Sequence, residues 1–394
     1  MIRRTLFFVF IFALCNALHS APGNSKNIFF CIAEQCYDEP QSIMQMAHSK
    51  AGELIDSFYR KRHKNDGFNG AVLVAKDGKV IYSNAFGYAD LHTKEELTLQ
   101  SSFQLASVSK TFTASAVLLL AESGFLSLDD SIQKFFPAFP YTGITVKTLL
   151  CHRTGLPDYT YFPKEYYGTT NAYITNADVV NMFIAKKPAL RCKPDHMFIY
   201  CNTNYALLAS IVEEVTQMSF GQFMNEVIFK PLDMRHSFVY NPTDSTQPAL
   251  TTYDSKGRVW KNNMNDGVAG DKGIYSSAED MLKWDNALRE GLVLSRETLE
   301  DAYTPKNLDR YSFAGEKDKN YGYGWRMTKQ LDKTYLIYHN GFWHGANNVF
   351  ARDIDDGYTV IVLGNKSNQN NYWTQPVWEV LYQLKEVGNL AVAQ

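Results

Sequence analysis

The chain has 394 residues, with 39 basic and 41 acidic side chains and a formal net charge of −2. This near-neutral balance, without a basic stripe or an arginine cluster, gives no support for a nucleic-acid partner. Aromatic residues are abundant, with 24 Tyr and 25 Phe, and we interpret them as core and cleft-lining side chains. No CxxC, HExxH or paired Cys/His spacing occurs, so we expect no metal site and no cofactor.

The first 21 residues have the pattern of a cleaved export signal. Arg3 and Arg4 give a positively charged start, an apolar run continues to Leu14, and small residues precede position 21. We therefore expect residues 1–21 to be removed and the mature protein to be secreted or periplasmic. Cys15 raises the alternative of a lipoprotein, which we disfavour because the bulky Leu14 stands where a lipid-attachment signal has a small residue. No later segment reaches about 18 uninterrupted apolar residues, so we expect no transmembrane anchor.

The mature chain of about 370 residues is long enough for one large domain or two ordinary ones. Residues 22–46 are rich in Pro, Asn and Ser and predict an irregular N-terminal arm. In an oxidising compartment, Cys31 and Cys36 of this arm have a spacing that can close a small disulfide loop. Cys192 and Cys201 are either a second pair or two buried thiols. One of the five cysteines after the signal has no partner within the monomer.

The first half of the mature chain predicts a helix, a hairpin and a second helix. Helical periodicity covers Met44–Arg62, and Gly70–Asp90 has the pattern of a β-hairpin with its turn at Lys76-Asp77-Gly78. Phe103–Glu122 is predicted as a long apolar helix. The stretch from about 120 to 265 then alternates short helices with turn signals, which predicts a mostly helical subdomain.

The C-terminal part has the signature of strands followed by a closing helix. Strands are predicted at Tyr323–Met327, Thr334–Tyr338, Asn348–Ile354 and Tyr358–Leu363, and a helix at Tyr372–Glu386. An early hairpin and late antiparallel strands, separated by helices, imply one sheet assembled from both chain ends and covered by helices. We therefore expect an α+β fold.

A serine and a lysine three residues apart open the apolar helical stretch, at Ser107 and Lys110. This spacing puts both side chains on one face, where a lysine amine lowers the cost of deprotonating the hydroxyl. The pattern alone is weak, because Ser131 and Lys134 repeat it. Context favours Ser107, since the unpaired N–H groups and the dipole at a helix start stabilise negative charge.

A Tyr-x-Asn motif and an Asn-Gly strand signal follow in order. Tyr200 and Asn202 lie in a loop that runs into another apolar helix, and His339-Asn340-Gly341 comes later. Tyr82 and Tyr338 also begin Tyr-x-Asn triplets, so only the order of the motifs and their sequence context favour Tyr200 over these two. Together with Ser107 and Lys110 these residues predict an acyl-transfer site and a hydrolase.

As an ordered set, the motifs resemble the serine β-lactamase-related superfamily. The resemblance also rests on Leu149–Asp158, with its Thr-Gly-Leu-Pro signature, and covers about residues 47–385. The class C-like branch includes class C β-lactamases, D-alanyl-D-alanine carboxypeptidases, D-aminopeptidases and family VIII esterases. The resemblance implies a β-lactamase/transpeptidase-like fold for residues 47–390, which agrees with the α+β arrangement expected from the elements.

The resemblance implies a role for each motif residue. Ser107 is the nucleophile that forms an acyl-enzyme, and Lys110 and Tyr200 share the work of the general base. Asn202 holds Lys110 and the substrate amide in register. The backbone N–H groups of Ser107 and Phe342 form the oxyanion hole, where losing one donor costs on the order of 3 kcal/mol of transition-state stabilisation. The substrate-binding set implied is therefore Asn202, His339, Gly341 and Phe342.

Three residues depart from the pattern of the family. His339 stands where those enzymes carry lysine, and a histidine is mostly neutral at pH 7. It holds a substrate carboxylate less firmly than an ammonium does, and in this the chain is closer to DD-peptidases and D-aminopeptidases. Cys151 replaces a residue that is usually threonine, and Cys201 fills the middle of the Tyr200 motif. We interpret both as small buried thiols.

The leading hypothesis is an exported serine hydrolase that cleaves an amide or ester of a small molecule or peptide. A D-amino-acid peptidase, of the carboxypeptidase or aminopeptidase type, is favoured slightly over a β-lactamase, with a small-ester hydrolase close behind. Deacylation decides among them, because it depends on how a water is placed against the acyl-enzyme. The alternative of another class is a non-catalytic binding or assembly protein, and the intact catalytic set argues against it. The sequence leaves the oligomeric state open.

Overall fold

The computed structural model describes residues 50–307, 318–329 and 335–392, with side chains up to residue 383. The predicted signal peptide, the N-terminal arm and its two cysteines lie outside these residues. The strands are β1 (Gly70–Lys76), β2 (Lys79–Phe86), β3 (Tyr88–Asp90), β4 (Glu95–Glu96), β5 (Phe103–Gln104), β6 (Phe238–Val239), β7 (Ile274–Ser276), β8 (Lys319–Tyr321), β9 (Arg326–Lys329), β10 (Tyr335–Trp343), β11 (Ala346–Asp353) and β12 (Tyr358–Gly364). The helices are α1 (Lys50–Asp66), α2 (Ser109–Glu122), α3 (Val146–Leu150), α4 (Asn176–Lys186), α5 (Asn202–Thr216), α6 (Phe220–Phe223), α7 (Ala278–Arg289), α8 (Arg296–Ala302) and α9 (Gln375–Val392).

Seven strands form one antiparallel sheet in the order β2-β1-β12-β11-β10-β9-β8. The early hairpin pairs directly with a late strand, with Gly70 opposite Gly364 and Lys76 opposite Tyr358. The predicted α+β fold, with an antiparallel sheet built from both ends of the chain, is therefore confirmed.

The central strands are apolar because both of their faces are covered. All residues from Ala71 to Ala75 in β1 are fully buried. One face packs against α1 and α9 through Ile55, Tyr59 and Trp378, and α7 packs against β1 and β12. Full burial of one valine or leucine side chain stabilises the fold by about 1.5–3 kcal/mol, so this layer accounts for much of the stability of the sheet.

The turn of the predicted hairpin is formed as its sequence indicates. Asp77 and Gly78 have φ of 49° and 75°. Positive φ at both central residues is the signature of the type I′ turn, whose twist matches that of the flanking strands. The two strands on either side, β1 and β2, lie within the predicted span of Gly70–Asp90.

The helix predicted at Phe103–Glu122 begins later than expected. Phe103 and Gln104 are instead a strand paired with Ser276 and Tyr275, and the helix α2 starts at Ser109. Ala106 between them has φ of 51°, which no right-handed helix accepts. The early part of the prediction was wrong because long-range strand pairing overrides local helical propensity.

Two C-terminal predictions also need correction. The strand expected at Tyr323–Met327 straddles a turn between β8 and β9, where Gly322 N–H donates to the carbonyl of Trp325 at 2.9 Å. Gly324 in this turn has φ of 86°, which favours glycine. The strand expected to end at Tyr338 continues as β10 to Trp343, so His339-Asn340-Gly341 lies within a strand and not at its end.

A small second sheet anchors the start of α2. It has the order β5-β7-β6, and its first strand ends just before Ser107. Between α2 and β7 the chain forms the helices α3 to α6 and several 3-10 turns. Among the residues that the structure describes, no helix combines the length and apolar character that a membrane span requires.

Candidate active site

Ser107 lies in a 3-10 turn, Ala106–Val108, that leads directly into α2. The turn follows Leu105, whose N–H donates to the carbonyl of Ile274 at 2.8 Å, so the small second sheet fixes its position. Ala106 is buried in the left-handed region, at φ of 51°. A non-glycine residue in this conformation costs of order 1–3 kcal/mol, and such strain is commonly found beside reacting groups.

Lys110 is fully buried at the start of α2 and makes three hydrogen bonds. Its Nζ atom donates to Ser107 Oγ at 3.1 Å, to Asn202 Oδ1 at 2.9 Å and to the carbonyl of Asp271 at 2.7 Å. The nitrogen of a lysine side chain has at most three N–H groups, so these three partners fix its position. Two of the predicted residues, Ser107 and Asn202, are thus brought together by the predicted lysine.

Tyr200 packs among basic groups and aromatic rings. Lys110 Nζ lies 5.1 Å and Arg326 Cζ 4.8 Å from the centroid of its ring. The ring centroids of His152 and His339 lie 4.4 Å and 6.2 Å away. Cations over the face of a tyrosine are attracted by the negative face of its π-system. The tyrosine is therefore held beside the Ser107–Lys110 contact by packing on several sides.

Asn202 is oriented by the end of the helix that it begins. Cys201 is the N-cap of α5 but gives no capping hydrogen bond. Asp158 replaces it, because its Oδ2 atom accepts from Asn202 N–H at 2.9 Å. Asp158 stabilises the start of the helix in two ways. It accepts from an N–H group that has no partner within the helix, and it places a carboxylate at the positive end of the helix dipole.

The Thr154-Gly155-Leu156-Pro157 segment is hydrogen-bonded to the first turn of α5. Thr154 Oγ1 donates to Asn204 Oδ1 at 2.6 Å, and Thr203 Oγ1 donates to the carbonyl of Pro157 at 2.7 Å. Gly155 has φ of 72°, and a methyl group there would lie 2.2 Å from the carbonyl oxygen of Cys192. The segment thus fixes the turn that carries Tyr200 and Asn202.

His152, interpreted from the sequence as structural, is fully buried next to Tyr200. Its Nδ1 atom accepts from the N–H of Cys201 at 3.2 Å and lies 3.0 Å from Asn204 Nδ2. Burial, with the charges of Lys110, Arg326 and His339, holds the pKa of this imidazole well below its usual range. Neutral His152 therefore holds the Tyr200 turn through its backbone.

His339 is fully buried within β10, and its side chain does not line the cleft that Ser107 lines. Its Nε2 atom lies 3.1 Å from Tyr321 Oη, and its Nδ1 atom 2.8 Å from the carbonyl oxygen of Asn340. Burial, with the charges of Arg326 and Lys110, holds the pKa of His339 well below its usual range. The imidazole is neutral and lies behind Tyr200.

Gly341 and Phe342 bring β10 against the turn that carries Ser107. A methyl group on Gly341 would lie 2.2 Å from the carbonyl oxygen of Leu105. Only glycine permits this approach of strand and turn. Phe342, the next residue, is 51% exposed and lines the cleft. The predicted oxyanion residues Ser107 and Phe342 are therefore on facing elements.

Ser107 lines a cleft of about 560 Å³. Its wall contains two basic, one acidic and several aromatic and amide side chains: Ser107, Asp158, Tyr161, Arg191, Tyr200, Asn202, Arg326, Asn340, Phe342 and Tyr372. The carboxylate of Asp158 already has hydrogen-bond partners within the protein, because it accepts from Asn202 N–H and from Thr160 N–H. Within the described part of the chain, neither of the two guanidinium groups, Arg191 and Arg326, is paired with a carboxylate. The cleft is thus suited to an anionic group.

Sequence reasoning missed several residues of this site. Arg326 was included in a predicted strand but received no role, and Asp158 was noted only as part of a turn. A basic residue in a strand next to the Asn-Gly strand was the available signal for Arg326. No sequence pattern indicated a role for Arg191, because it lies in a segment without regular secondary structure. Its position is fixed by the backbone, since Arg191 N–H donates to the carbonyl of Gly155 at 2.7 Å.

The cysteines near the site are free thiols. Cys151 and Cys201 are buried, Cys192 is partly buried, and none of the three forms a disulfide. Of the two alternatives for Cys192 and Cys201, the structure therefore has the unpaired one. Burial raises the pKa of the Cys151 and Cys201 thiols to about 12, which makes both poor nucleophiles.

The chain is similar to several known proteins. The profile of the family described as Beta-lactamase matches residues 55–381. Penicillin-binding protein 4* of Bacillus subtilis is 33% identical over 324 residues, which cover 77% of this chain and 70% of that protein. Protein flp of Staphylococcus aureus is 28% identical over 314 residues, and the chain spans 60% of its length.

A solved structure has the same fold. D-amino acid amidase from Ochrobactrum anthropi, complexed with L-phenylalanine, superposes with a TM-score of 0.71 at 23% identity, over 86% of this chain and 100% of that one. At this identity the likeness concerns the fold alone. The family profile covers most of the chain, and the Bacillus subtilis relative is similar over most of its own length. The chain belongs to the Beta-lactamase family, and the fold is that of the serine β-lactamases and transpeptidases.

Proposed function

We propose that the chain is an exported serine hydrolase that cleaves an amide or ester through an acyl-enzyme on Ser107. The observation that carries the proposal is the 3.1 Å contact between Lys110 Nζ and Ser107 Oγ at the wall of the cleft. A serine hydroxyl alone is a weak nucleophile and needs an adjacent base. Membership of the Beta-lactamase family supports the same chemistry. Residues 1–21 are proposed as the export signal.

Acylation needs a base, an acid and a place for the oxyanion. Ser107 Oγ attacks the carbonyl carbon of the substrate while Lys110 takes the hydroxyl proton. Tyr200, whose ring centroid lies 5.1 Å from Lys110 Nζ, gives a proton to the leaving nitrogen or oxygen and regains one from Lys110. Asn202 accepts from Lys110 at 2.9 Å and keeps the amine aimed at Ser107.

The tetrahedral intermediate carries its negative charge on the former carbonyl oxygen. The N–H groups of Ser107 and Phe342 are proposed to hold this oxyanion, and such donors are among the largest single contributions to catalysis. The close packing of Gly341 on Leu105 supports the assignment, since it fixes the distance between the two elements. In deacylation a water attacks the acyl carbon and gives a proton to Tyr200 and Lys110, and these groups pass a proton to Ser107 Oγ as its bond to the acyl carbon breaks.

The charges of the cleft favour a substrate with a carboxylate near the scissile bond. Arg326 and Arg191 line the cleft without a carboxylate partner among the described residues. His339, which the resemblance implied as a substrate-binding residue, is buried and neutral and is proposed to position Tyr200 instead. A guanidinium binds a carboxylate through two parallel hydrogen bonds, so Arg326 is the better candidate for this role.

This charge pattern favours a carboxypeptidase-type reaction over an aminopeptidase-type one. An aminopeptidase must bind the ammonium of its substrate. Among the described residues, Asp158 is the one carboxylate that lines the cleft, and it already accepts hydrogen bonds from Asn202 and Thr160. The proposed substrate is a peptide ending in a D-amino acid with a free carboxylate. The proposal is for hydrolysis of its last peptide bond.

Peptides that differ only at the C-terminus test this proposal. A peptide ending in D-Ala-D-Ala is compared as the free acid and as the C-terminal amide, with wild type and Ser107→Ala. The expected result is a kcat/KM at least about tenfold higher for the acid, because a charge-assisted hydrogen bond contributes about 1.5–3 kcal/mol. Equal rates on both peptides, or cleavage of simple phenyl esters only, would contradict the carboxypeptidase assignment.

A further inference from the structure

Two oppositely charged residues lie buried behind Lys110. Asp271 and Lys272 are 1% and 3% exposed, and their charged atoms are 3.5 Å apart. They occupy a short loop between Gly270 and Gly273, whose φ values are 98° and 90°. Desolvating two charges costs several kcal/mol for each, and their attraction repays it only when the remaining polar atoms are also satisfied. A pair of this kind contributes little net stability, whereas loss of one partner leaves an uncompensated buried charge.

The loop is fixed to the helix that carries Lys110. The carbonyl of Asp271 accepts from Lys110 Nζ at 2.7 Å, and the carbonyl of Gly270 accepts from Thr113 Oγ1 at 2.7 Å. Ser109 Oγ accepts from the N–H of Ile274 at 3.1 Å. A methyl group on Gly270 would lie 2.5 Å from the carbonyl oxygen of Tyr205 in α5. Asp271 is therefore held at a fixed distance from Lys110.

The side chains of the pair contact two residues that are adjacent in sequence to cleft-lining residues. Tyr159 Oη donates to the Asp271 carboxylate at 3.1 Å and accepts from Lys272 Nζ, and Tyr159 follows Asp158, the residue that orients Asn202. Lys272 Nζ also lies 4.8 Å above the ring of Trp343, the residue after Phe342 in β10. The buried pair is thus in contact with Lys110, with the residue next to Asp158 and with the residue next to Phe342.

We infer that Asp271 and Lys272 are positioning residues for acyl transfer, which hold Lys110 against Ser107. The inference rests on the proposed function of Ser107 and Lys110. Because the two side chains of the pair carry opposite charges, removing one of them is expected to shift the pH dependence of acylation in the direction opposite to removing the other.

Other titratable groups face Lys110 from the surrounding elements, and they are the same in every variant compared below. They are Tyr200 in the loop before α5, Tyr205 in α5, His152 after α3 and His339 in β10. Both histidines are buried with a pKa well below the usual range, so they stay neutral near pH 7. A change in the pH dependence on mutating the pair is therefore attributable to the pair.

The test is the pH dependence of Ser107 phosphonylation by an alkyl fluorophosphonate. In this step Ser107 Oγ bonds to phosphorus, fluoride leaves, and the serine proton goes to the base. Lys272→Met is expected to move the midpoint of the rate profile to higher pH, and Asp271→Asn to lower pH, each by on the order of one pH unit. The double variant is expected to return to the wild-type midpoint. All three are expected to lower the limiting rate by about 10- to 100-fold.

The outcomes separate this inference from the proposed function. Absence of labelling in wild type, or equal labelling of Ser107→Ala, would refute the acyl-enzyme proposal itself. Labelling of wild type with single variants that shift in the same direction, or not at all, would refute the positioning role alone. If Lys272→Met fails to fold, Lys272→Gln is used in its place, and Asp271→Ser likewise replaces Asp271→Asn. Lys256→Met, at an exposed position, is the matched control and should keep both midpoint and rate.

Discussion

Gly341 lies so close to Leu105 that a methyl group on its α-carbon would be 2.2 Å from the Leu105 carbonyl oxygen. Gly341→Ala therefore forces β10 away from the turn that carries Ser107. Because the two proposed oxyanion donors lie on these elements, we expect Ser107 acylation to slow by about 100-fold or more. The measurement is the rate of acylation by a chromogenic ester or a penicillin.

The matched control for this change is Gly221→Ala in α6. A methyl group there meets Val239 at 3.4 Å, which is an ordinary contact. It should leave the acylation rate unchanged. An unaltered rate in Gly341→Ala, with a melting temperature equal to that of wild type, would show that the spacing of strand and turn does not matter.

The buried histidines give the protein a pH-dependent stability. The pKa of His152 and of His339 is held well below the usual range, first by burial. Below pH about 6.5 the unfolded chain binds protons at these positions and the folded protein does not. The free energy of unfolding therefore falls as the pH falls, at up to about 1.4 kcal/mol per pH unit for each histidine.

Urea unfolding at pH 7.5, 6.5 and 5.5 measures this dependence. His339→Gln should have a shallower decline than wild type, although it is less stable at pH 7.5 because its hydrogen bonds change. His92→Gln, at an exposed position, is the control and should decline as wild type does. Identical declines in wild type and His339→Gln would mean that the folded protein accepts the proton at His339.

Arg326 should determine the preference for a carboxylate. Arg326→Gln is expected to reduce the ratio of kcat/KM for the free-acid peptide to that for its amide by about 10- to 100-fold, the value of a charge-assisted hydrogen bond. The ratio is measured because the arginine also packs on Tyr200, which affects both substrates equally. Arg326→Lys should retain part of the preference, because a lysine ammonium keeps the positive charge but cannot form the two parallel hydrogen bonds of a guanidinium.

Arg235→Gln is the control for this experiment, since Arg235 is 78% exposed and pairs with Asp233. It should leave the ratio unchanged. An unchanged ratio in Arg326→Gln would assign the carboxylate to another group, with Arg191 next to be tested.

The thiols near the site should differ in reactivity. Burial raises the pKa of Cys151 and Cys201 to about 12, whereas Cys192 is only partly buried. Iodoacetamide at pH 8 is expected to modify Cys192 well before the other two, as read by peptide mapping of the folded protein. A disulfide-linked peptide containing Cys192 and Cys201, or early modification of Cys201, would contradict the free-thiol arrangement.

Local signals in the sequence were sufficient where the chemistry is local. The Asp77-Gly78 turn follows from residues that tolerate positive φ, and the apolar strand β1 follows from its continuous run of small and branched residues. The Ser107 and Lys110 pair was also accessible, because its members are only three positions apart in the sequence. The hydrogen bond between them needs no long-range information beyond the turn that begins α2.

Long-range contacts explain what the sequence did not reveal. Phe103 and Gln104 are strand and not helix because Ser276 and Tyr275 pair with them. His339 was expected to contact substrate, and its place on the buried face of β10 depends on the packing of that strand against Tyr321. The Asp271–Lys272 pair was invisible for the same reason, since its link to Lys110 runs through a backbone carbonyl.

The most direct test of the account is intact mass spectrometry of the purified mature protein during incubation with a penicillin. Wild type, Ser107→Ala and Ser131→Ala are compared, because Ser131 and Lys134 repeat the serine–lysine spacing on an exposed turn. The account predicts an adduct of one penicillin on wild type and on Ser131→Ala, mapped to Ser107, and none on a folded Ser107→Ala. An adduct of equal yield on Ser107→Ala would contradict the assignment of the nucleophile.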